Sequence, residues 1–192
     1  STGARLSVER NGRIFDQEER TTHVYRLISG TVRICRYLSD GKRQISAFHI
    51  TGETFGFEPG AQHRFCAEAV DNCVLLVVRR STLMEAAARD AAFALELWSA
   101  AESELQGARE HMLLLGRQNA AERILSFLGG IARRLGDRSC VQLPMGRQDM
   151  ADHLGLTIET VSRTMSQLAE AQAIAVEGIR RVRIGHPASY AA

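Results

Sequence analysis

The sequence predicts an α+β chain in three parts: an N-terminal β-roll, one long helix, and a compact helical domain closed by a β-hairpin. Three observations carry this. Short β-rich runs punctuated by glycine fill residues 22–80, a seven-residue apolar repeat follows, and a broad helical periodicity takes over after residue 119. With 192 residues, 45% apolar and 24% charged, the chain is large enough to bury a core in each of two small domains. No run of eighteen apolar residues occurs, so no membrane span is expected. Nor do the first fifteen residues, which carry Arg5, Arg10 and Arg13, look like a secretory signal. Four scattered cysteines (Cys35, Cys66, Cys73, Cys140) without a CxxC pair suit reduced thiols in a cytoplasm.

In the first part, strands are expected at 24–28, 31–38, 44–48, 67–69 and 73–78. Turns fall at Ser29-Gly30, Asp40-Gly41 and Thr51-Gly52. Asp40-Gly41 is the strongest hairpin signal, because glycine accepts the positive φ that tight turns need. The second part, about 81–117, holds Ala91, Ala94, Trp98, Ala101, Leu105, Ala108, Met112 and Leu115 at alternating spacings of three and four residues. Such a seam makes a rod of about 35 Å. A strict 3.5-residue repeat favours a partner helix, and the simplest partner is the same helix of a second copy. The expected dimer contacts are Trp98, Ala101, Leu105, Ala108, Met112 and Leu115; the bland alternative lays the helix on its own roll. Leu95, Leu97, Leu113 and Leu114 lie off the seam and are free to pack there. The divisions expected are a roll over 1–88, a dimerisation helix over 89–118, and a last domain over 119–192.

In that last domain, 120–134 presents Ile124, Leu125, Phe127, Leu128, Ile131 and Leu135 on one face despite Gly129-Gly130. Residues 173–176 and Arg181–Ile184 flank Glu177-Gly178 as short strands. Between them, 147–153 reads as a helix with Met150, Ala151 and Leu154 inward, and Gly155 supplies a left-handed turn position. Thr157 caps a second helix, whose Ile158, Val161, Met165 and Leu168 are expected in the core. Glu159, Ser162, Arg163 and Ser166 fall on the opposite face. Two helices crossing closely at Ala151 and turning at Gly155 form a helix-turn-helix, whose second helix enters the DNA major groove. Arg163 can give two parallel hydrogen bonds to guanine, and Glu159 can accept from cytosine. The competing reading makes Glu159 and Arg163 an i, i+4 ion pair on a solvated face.

The net charge supports this only mildly. Residues 1–118 hold 15 Lys/Arg against 15 Asp/Glu, whereas 119–192 hold 9 against 7, so the whole +2 lies in the last part.

The stretch Gly155-Leu156-Thr157-Ile158-Glu159-Thr160-Val161-Ser162-Arg163 resembles the recognition segment of the CRP/FNR superfamily, in its FNR/FixK branch. The likeness extends to Tyr25–Val32, Gly41, Gly52-Glu53 and Gly56-Phe57 in a cyclic-nucleotide-binding-like roll. It continues through His111–Asn119 and Glu122-Arg123. The resemblance implies a winged helix-turn-helix homodimer that binds a palindrome related to TTGA-N6-TCAA on double-stranded DNA. It also implies recruitment of RNA polymerase, commonly to activate low-oxygen or nitrogen-fixation genes. Under it, Glu159, Ser162 and Arg163 touch bases, while Arg147, Thr157, Thr160, Arg180 and Arg181 reach phosphates.

No cofactor and no metal are expected. Residues 1–34 lack cysteine, and Cys35, Cys66 and Cys73 have no cluster-like spacing; buried apolar roles suit them. Cys140 is expected to be more exposed. For a cyclic nucleotide, Gly52-Glu53 and Arg64 match the superfamily, but Phe65 stands where a phosphate-binding hydroxyl belongs. His23, His49, His63, His111, His153 and His186 contain no HxH pair, and GxSxG, Walker and GxGxxG motifs are absent, so no catalytic role is assigned. Two readings stand beside the main one: the same DNA mechanism gated by a small ligand in the roll, and a cupin-like metal enzyme lacking its usual ligands.

Overall fold

A computed structural model describes residues 3–117, 119–137, 140–178 and 180–185. The chain divides into two compact units, Ser1–Glu110 and His111–Ala192. The first holds β1 (Ala4–Val8), β2 (Arg13–Phe15), β3 (His23–Ser29), β4 (Thr31–Tyr37), β5 (Arg43–Ile50), β6 (Thr54–Phe55), β7 (Cys66–Ala69), β8 (Cys73–Arg79) and α1 (Arg80–Arg89). Helix α2 (Ala91–Arg117) contains the boundary between the units. The second unit continues with α3 (Ala120–Leu135), β9 (Cys140–Gln142), α4 (Arg147–Leu154), α5 (Ile158–Glu170), β10 (Ile174–Glu177) and β11 (Arg181–Ile184).

The strands of the first unit form two four-stranded antiparallel sheets, ordered β1-β8-β3-β6 and β2-β7-β4-β5. Alternating side chains from both close on one core, including Phe15, Tyr25, Leu27, Val32, Ile34, Phe55, Ala67, Ala69 and Leu75. All five expected strands are present, and the Asp40-Gly41 turn joins β4 to β5 with Gly41 at φ +80°. Three strands escaped the sequence reading. β1 is almost wholly exposed, so it shows no buried alternation, and β2 and β6 span only three and two residues.

The outer face of the second sheet carries a charged cluster. The Glu68 side chain is 3% exposed and accepts hydrogen bonds from Arg33, Arg13 and Tyr37 at 2.8–3.0 Å, with Arg43 at 3.8 Å. Burial pushes the Glu68 carboxyl up, but these donors outweigh it and hold it below the ordinary carboxylate range. Its folded pKa is therefore below its unfolded value of about 4.3. Glu68 thus stabilises the fold above that value, and the contribution is lost as pH falls through the folded pKa. Melting temperatures between pH 6 and 2 should drop steeply in the acid limb, and Glu68→Gln should flatten that part of the curve. A variant as acid-sensitive as the wild type would exclude Glu68 as a source.

The long apolar repeat begins later than one continuous helix would. Asp90 stops α1 with an extended backbone, while its carboxylate accepts from Ala92 N and Phe93 N at 2.9 and 3.2 Å and so caps α2. Along α2, Phe93, Leu97, Ala101 and Glu104 are half-buried. Burial raises the Glu104 carboxyl above its ordinary range, within the fields of His49 and Glu58 of the roll. The opposite side is apolar and open: Leu95, Trp98, Leu105, Met112 and Leu113 are 67, 69, 51, 66 and 59% exposed. Leu97 thus leaves the seam as expected, whereas Leu95 and Leu113 join the exposed side and Ala101 turns partly away from it.

In the second unit, α3 starts at a reciprocal capping box between Asn119 and Glu122 and ends at left-handed Gly136. Ile124, Phe127, Leu128, Ile131 and Ala132 are buried, and each of the four larger side chains contributes roughly 1.5–3 kcal/mol. Leu135 is 44% exposed, contrary to expectation, because it is the last helical residue and follows the last buried turn. The expected hairpin is present, and β9 adds a third strand in the order β10-β11-β9.

Candidate nucleic-acid interface

Helix α4 buries Asp149, Met150, Ala151 and Leu154, then ends at Gly155 with φ 63° and ψ 39°, where a side chain is strained. Its N–H, and that of Leu156, donate to Ala151 O. The chain re-enters a helix at Thr157, whose Oγ1 accepts from Thr160 N at 3.2 Å. Helix α5 then packs Val161, Thr164, Met165 and Leu168 inward. Ile158, expected in that core, is 37% exposed because the first helical residue lies at the rim of the packed face.

The opposite face of α5 presents Glu159, Ser162, Arg163 and Ser166 to solvent, as expected. The i, i+4 ion pair between Glu159 and Arg163 does not form. Glu159 instead accepts from its own backbone N–H and from the Thr157 hydroxyl, which hold its carboxyl below the ordinary range. A carboxylate in the first turn also suits the positive end of the helix dipole. Arg163 has no hydrogen-bond or ion-pair partner among the described residues, so its five donors remain available to a ligand. Ser166 Oγ donates to the Ser162 backbone carbonyl at 3.2 Å, and both residues are exposed.

The expected phosphate contacts differ among themselves. Thr157 is exposed and Thr160 half-buried, their hydroxyls 3.1 Å apart at the helix N-terminus. Arg147 is half-buried with Nη1 3.8 Å from Met150 Sδ, and burial draws its pKa down. Arg180 donates to Pro144 O at 2.9 Å, and its own carbonyl accepts from Leu143 N, so it ties the hairpin to the loop after β9. Arg181 donates to Cys140 Sγ at 3.1 Å and lies 3.4 Å from Glu177. Arg183, which sequence reasoning passed over, pairs with the same carboxylate at 2.5 Å. The hairpin arginines therefore have internal partners, in contrast to Arg163.

Sequence reasoning also missed what holds the reading unit in place. Arg123 of α3 donates to Leu154 O at the end of α4 and to Leu115 O near the end of α2, both at 2.9 Å. One guanidinium thus satisfies open carbonyls at two negative helix ends. Leu115, expected in the dimer seam, is half-buried, and a Cβ on Gly155 would meet its Cδ2 at 3.3 Å. His111 Nε2 donates to His153 O at 2.7 Å, and the two rings stack at 4.1 Å and 5°. Arg123→Met should lower the stability of this unit by about 2 kcal/mol, since hydrogen bonds from a charged group are worth roughly 1.5–3. Thermal unfolding measures this; an unchanged melting temperature would show that water replaces both bonds without loss.

The roll residues that match a cyclic-nucleotide site do not assemble one. Glu53 accepts from Ile50 N at 3.1 Å and lies 3.4 Å from His49. Arg64 is exposed, Phe65 packs on the roll core, and Cys66 is fully buried. No buried donor set for a phosphate results from these residues.

Residues 122–189 match the Crp-like helix-turn-helix domain family, and residues 5–90 match the cyclic nucleotide-binding domain family. With an exposed polar recognition face on α5, this architecture is that of a DNA-binding transcription regulator. The chain is 49% identical to the nitrogen fixation regulation protein FixK of Azorhizobium caulinodans over 178 residues, covering 90% of this chain and 72% of that protein. It is 38% identical to the transcriptional activatory protein AadR of Rhodopseudomonas palustris, covering 87% and 72%. The solved structure of FixK2 from Bradyrhizobium japonicum superposes with a TM-score of 0.91 at 41% identity, covering 97% of this chain and 94% of that one. The chain belongs to the FixK family of CRP/FNR-type transcription regulators.

Proposed function

We propose that the protein acts in the cytoplasm as a homodimer that reads a palindrome related to TTGA-N6-TCAA. Bound there, it contacts RNA polymerase and activates low-oxygen or nitrogen-fixation genes, working by binding rather than catalysis. The single observation that carries the reading is the α5 face, on which Arg163 is exposed beside Ser162 and Glu159 and has no partner among the described residues. Arg163 supplies the bidentate contact to the half-site guanine, with Glu159 and Ser162 on neighbouring base edges. Thr157, Thr160 and Arg147 hold phosphates at the helix N-terminus, with Arg180 and Arg181 in weaker hairpin contacts.

The exposed apolar side of α2 supports a second copy. Trp98, Leu105 and Met112 recur every seven residues, and burial of three such side chains favours pairing over solvent. The expected contacts Ala101, Ala108 and Leu115 line the same helix, with Ala101 and Leu115 more peripheral because they are half-buried already. The proposed palindrome fits a two-fold dimer, since its half-site centres lie about 10 base pairs apart, one turn of B-DNA. The names of the relatives point to nitrogen-fixation control and to activation.

A salt-controlled titration of the full chain on TTGA-N6-TCAA and on a shuffled duplex of equal length tests the reading. A preference of about 10³ or more without added effector supports it. Equal weak binding to both duplexes overturns the half-site assignment.

A further inference from the structure

Two of the four thiols face each other across the second sheet of the roll. Cys35 of β4 and Cys66 of β7 are register partners, with Sγ atoms 3.2 Å apart and both residues fully buried. The Cys66 Sγ also lies 3.1 Å from Cys35 O. Residues opposed in an antiparallel ladder have Cα atoms about 4.5–5.5 Å apart. That lies inside the roughly 4.4–6.8 Å span of disulfides, so rotation about the side-chain bonds suffices to bring the sulfurs together.

The two thiols are hydrogen-bonded to each other, and either can be the donor. The hydrogen bond from Cys35 lowers the Cys66 thiol below its ordinary range, against burial and the field of Glu68. The same hydrogen bond, then burial, raises the Cys35 thiol. Alternation places both on the face away from core residues Val32, Ile34, Ala67 and Ala69. They share that face with Arg33, Tyr37 and Glu68, beneath Arg13 and Asp16, whose side chains are 44 and 42% exposed.

We propose that Cys35 and Cys66 form a dithiol modification site that closes into an intrachain disulfide on reaction with a peroxide. One of the two sulfurs, as its thiolate, attacks one peroxide oxygen, the O–O bond breaks, and hydroxide leaves, giving a sulfenic acid. The other sulfur then displaces that oxygen, which leaves as water with the second thiol's proton, while the proton given up by the attacking thiol neutralises the hydroxide. Two thiols and one hydrogen peroxide thus become one disulfide and two waters. A metal is the competing occupant, since donor atoms of Cys35, Cys66 and Glu68 lie within 4.8 Å of one another. Two thiolates on tetrahedral zinc, at about 2.3 Å each, would lie about 3.7 Å apart. The sulfurs are closer than that, and Glu68 already accepts from Arg33, Arg13 and Tyr37.

The test uses the full chain with Cys140→Ser, which leaves Cys73 as an internal comparison. After hydrogen peroxide and quenching, the protein is denatured, its thiols are alkylated, and intact mass and peptides are recorded. The expected result is joint loss of two thiols, a mass lower by about 2 Da before alkylation, and a Cys35–Cys66 peptide that dithiothreitol splits. Three alkylatable thiols after treatment would overturn the proposal. So would stable addition of oxygen to one cysteine, a bridge to Cys73, or zinc in the purified protein that chelation releases together with the thiols. Cys66→Ala should leave Cys35 alkylatable; if that variant fails to fold, the linked peptide of the Cys140→Ser chain still decides.

Discussion

Arg163→Ala is expected to lower affinity for TTGA-N6-TCAA by about 30-fold or more and to relax discrimination at the guanine of each half-site. Each bidentate arginine–guanine pair is worth about 1–3 kcal/mol, and a dimer makes two, so the loss reaches roughly 2–6 kcal/mol. The structure sharpens the expectation. Arg163 has no partner among the described residues, so no internal bond must break before it engages DNA, and none is lost when it is removed. The variant should therefore fold with an unchanged melting temperature. Titration on the palindrome and on duplexes substituted at the guanine measures the effect. Equal losses on every sequence would mean that Arg163 contacts phosphate rather than a base.

Leu105→Asp should yield monomers whose affinity for the palindrome falls by about 10²–10⁴. Two half-sites held by one particle gain from effective concentration, and separate monomers forfeit that gain. Leu105 is 51% exposed at the middle of the apolar stripe, with Trp98 and Met112 one heptad to either side. An aspartate there costs little in an isolated chain but would be buried and unpaired in a dimer. Sedimentation velocity with a DNA titration reads both consequences. A wild-type sedimentation profile would remove α2 as the dimer surface, whatever happens to DNA affinity.

The readable parts of this chain are those in which local chemistry and tertiary packing agree. Gly155 and Thr157 announce the turn and cap because a left-handed backbone and open N–H groups select those residue types wherever they occur. The recognition face of α5 was legible for the same reason: Val161, Met165 and Leu168 recur at helical spacing, so Glu159, Ser162 and Arg163 are left outside. Ile158 and Leu135 obey the same period yet lie exposed, because periodicity states direction around a helix and not how far the core extends along it. Strand β1 was illegible because an exposed edge has no buried alternation to display.

Sequence by itself determined the fold class, the glycine turns, the split of α5 into a packed and an open face, and the heptad stripe of α2. These depend on residues a few positions apart, where backbone geometry dictates which side chains share a face. Only the tertiary structure decided which side chains far apart in the chain satisfy one another. It gave the hairpin arginines Arg180 and Arg181 to Pro144 and Cys140, and made Arg123 the link between two helix ends. It also brought Cys35 and Cys66 to 3.2 Å across 31 residues of sequence. Such pairings are set by strand register and helix crossing, where a charge or a thiol takes whichever partner the packed backbone brings within reach.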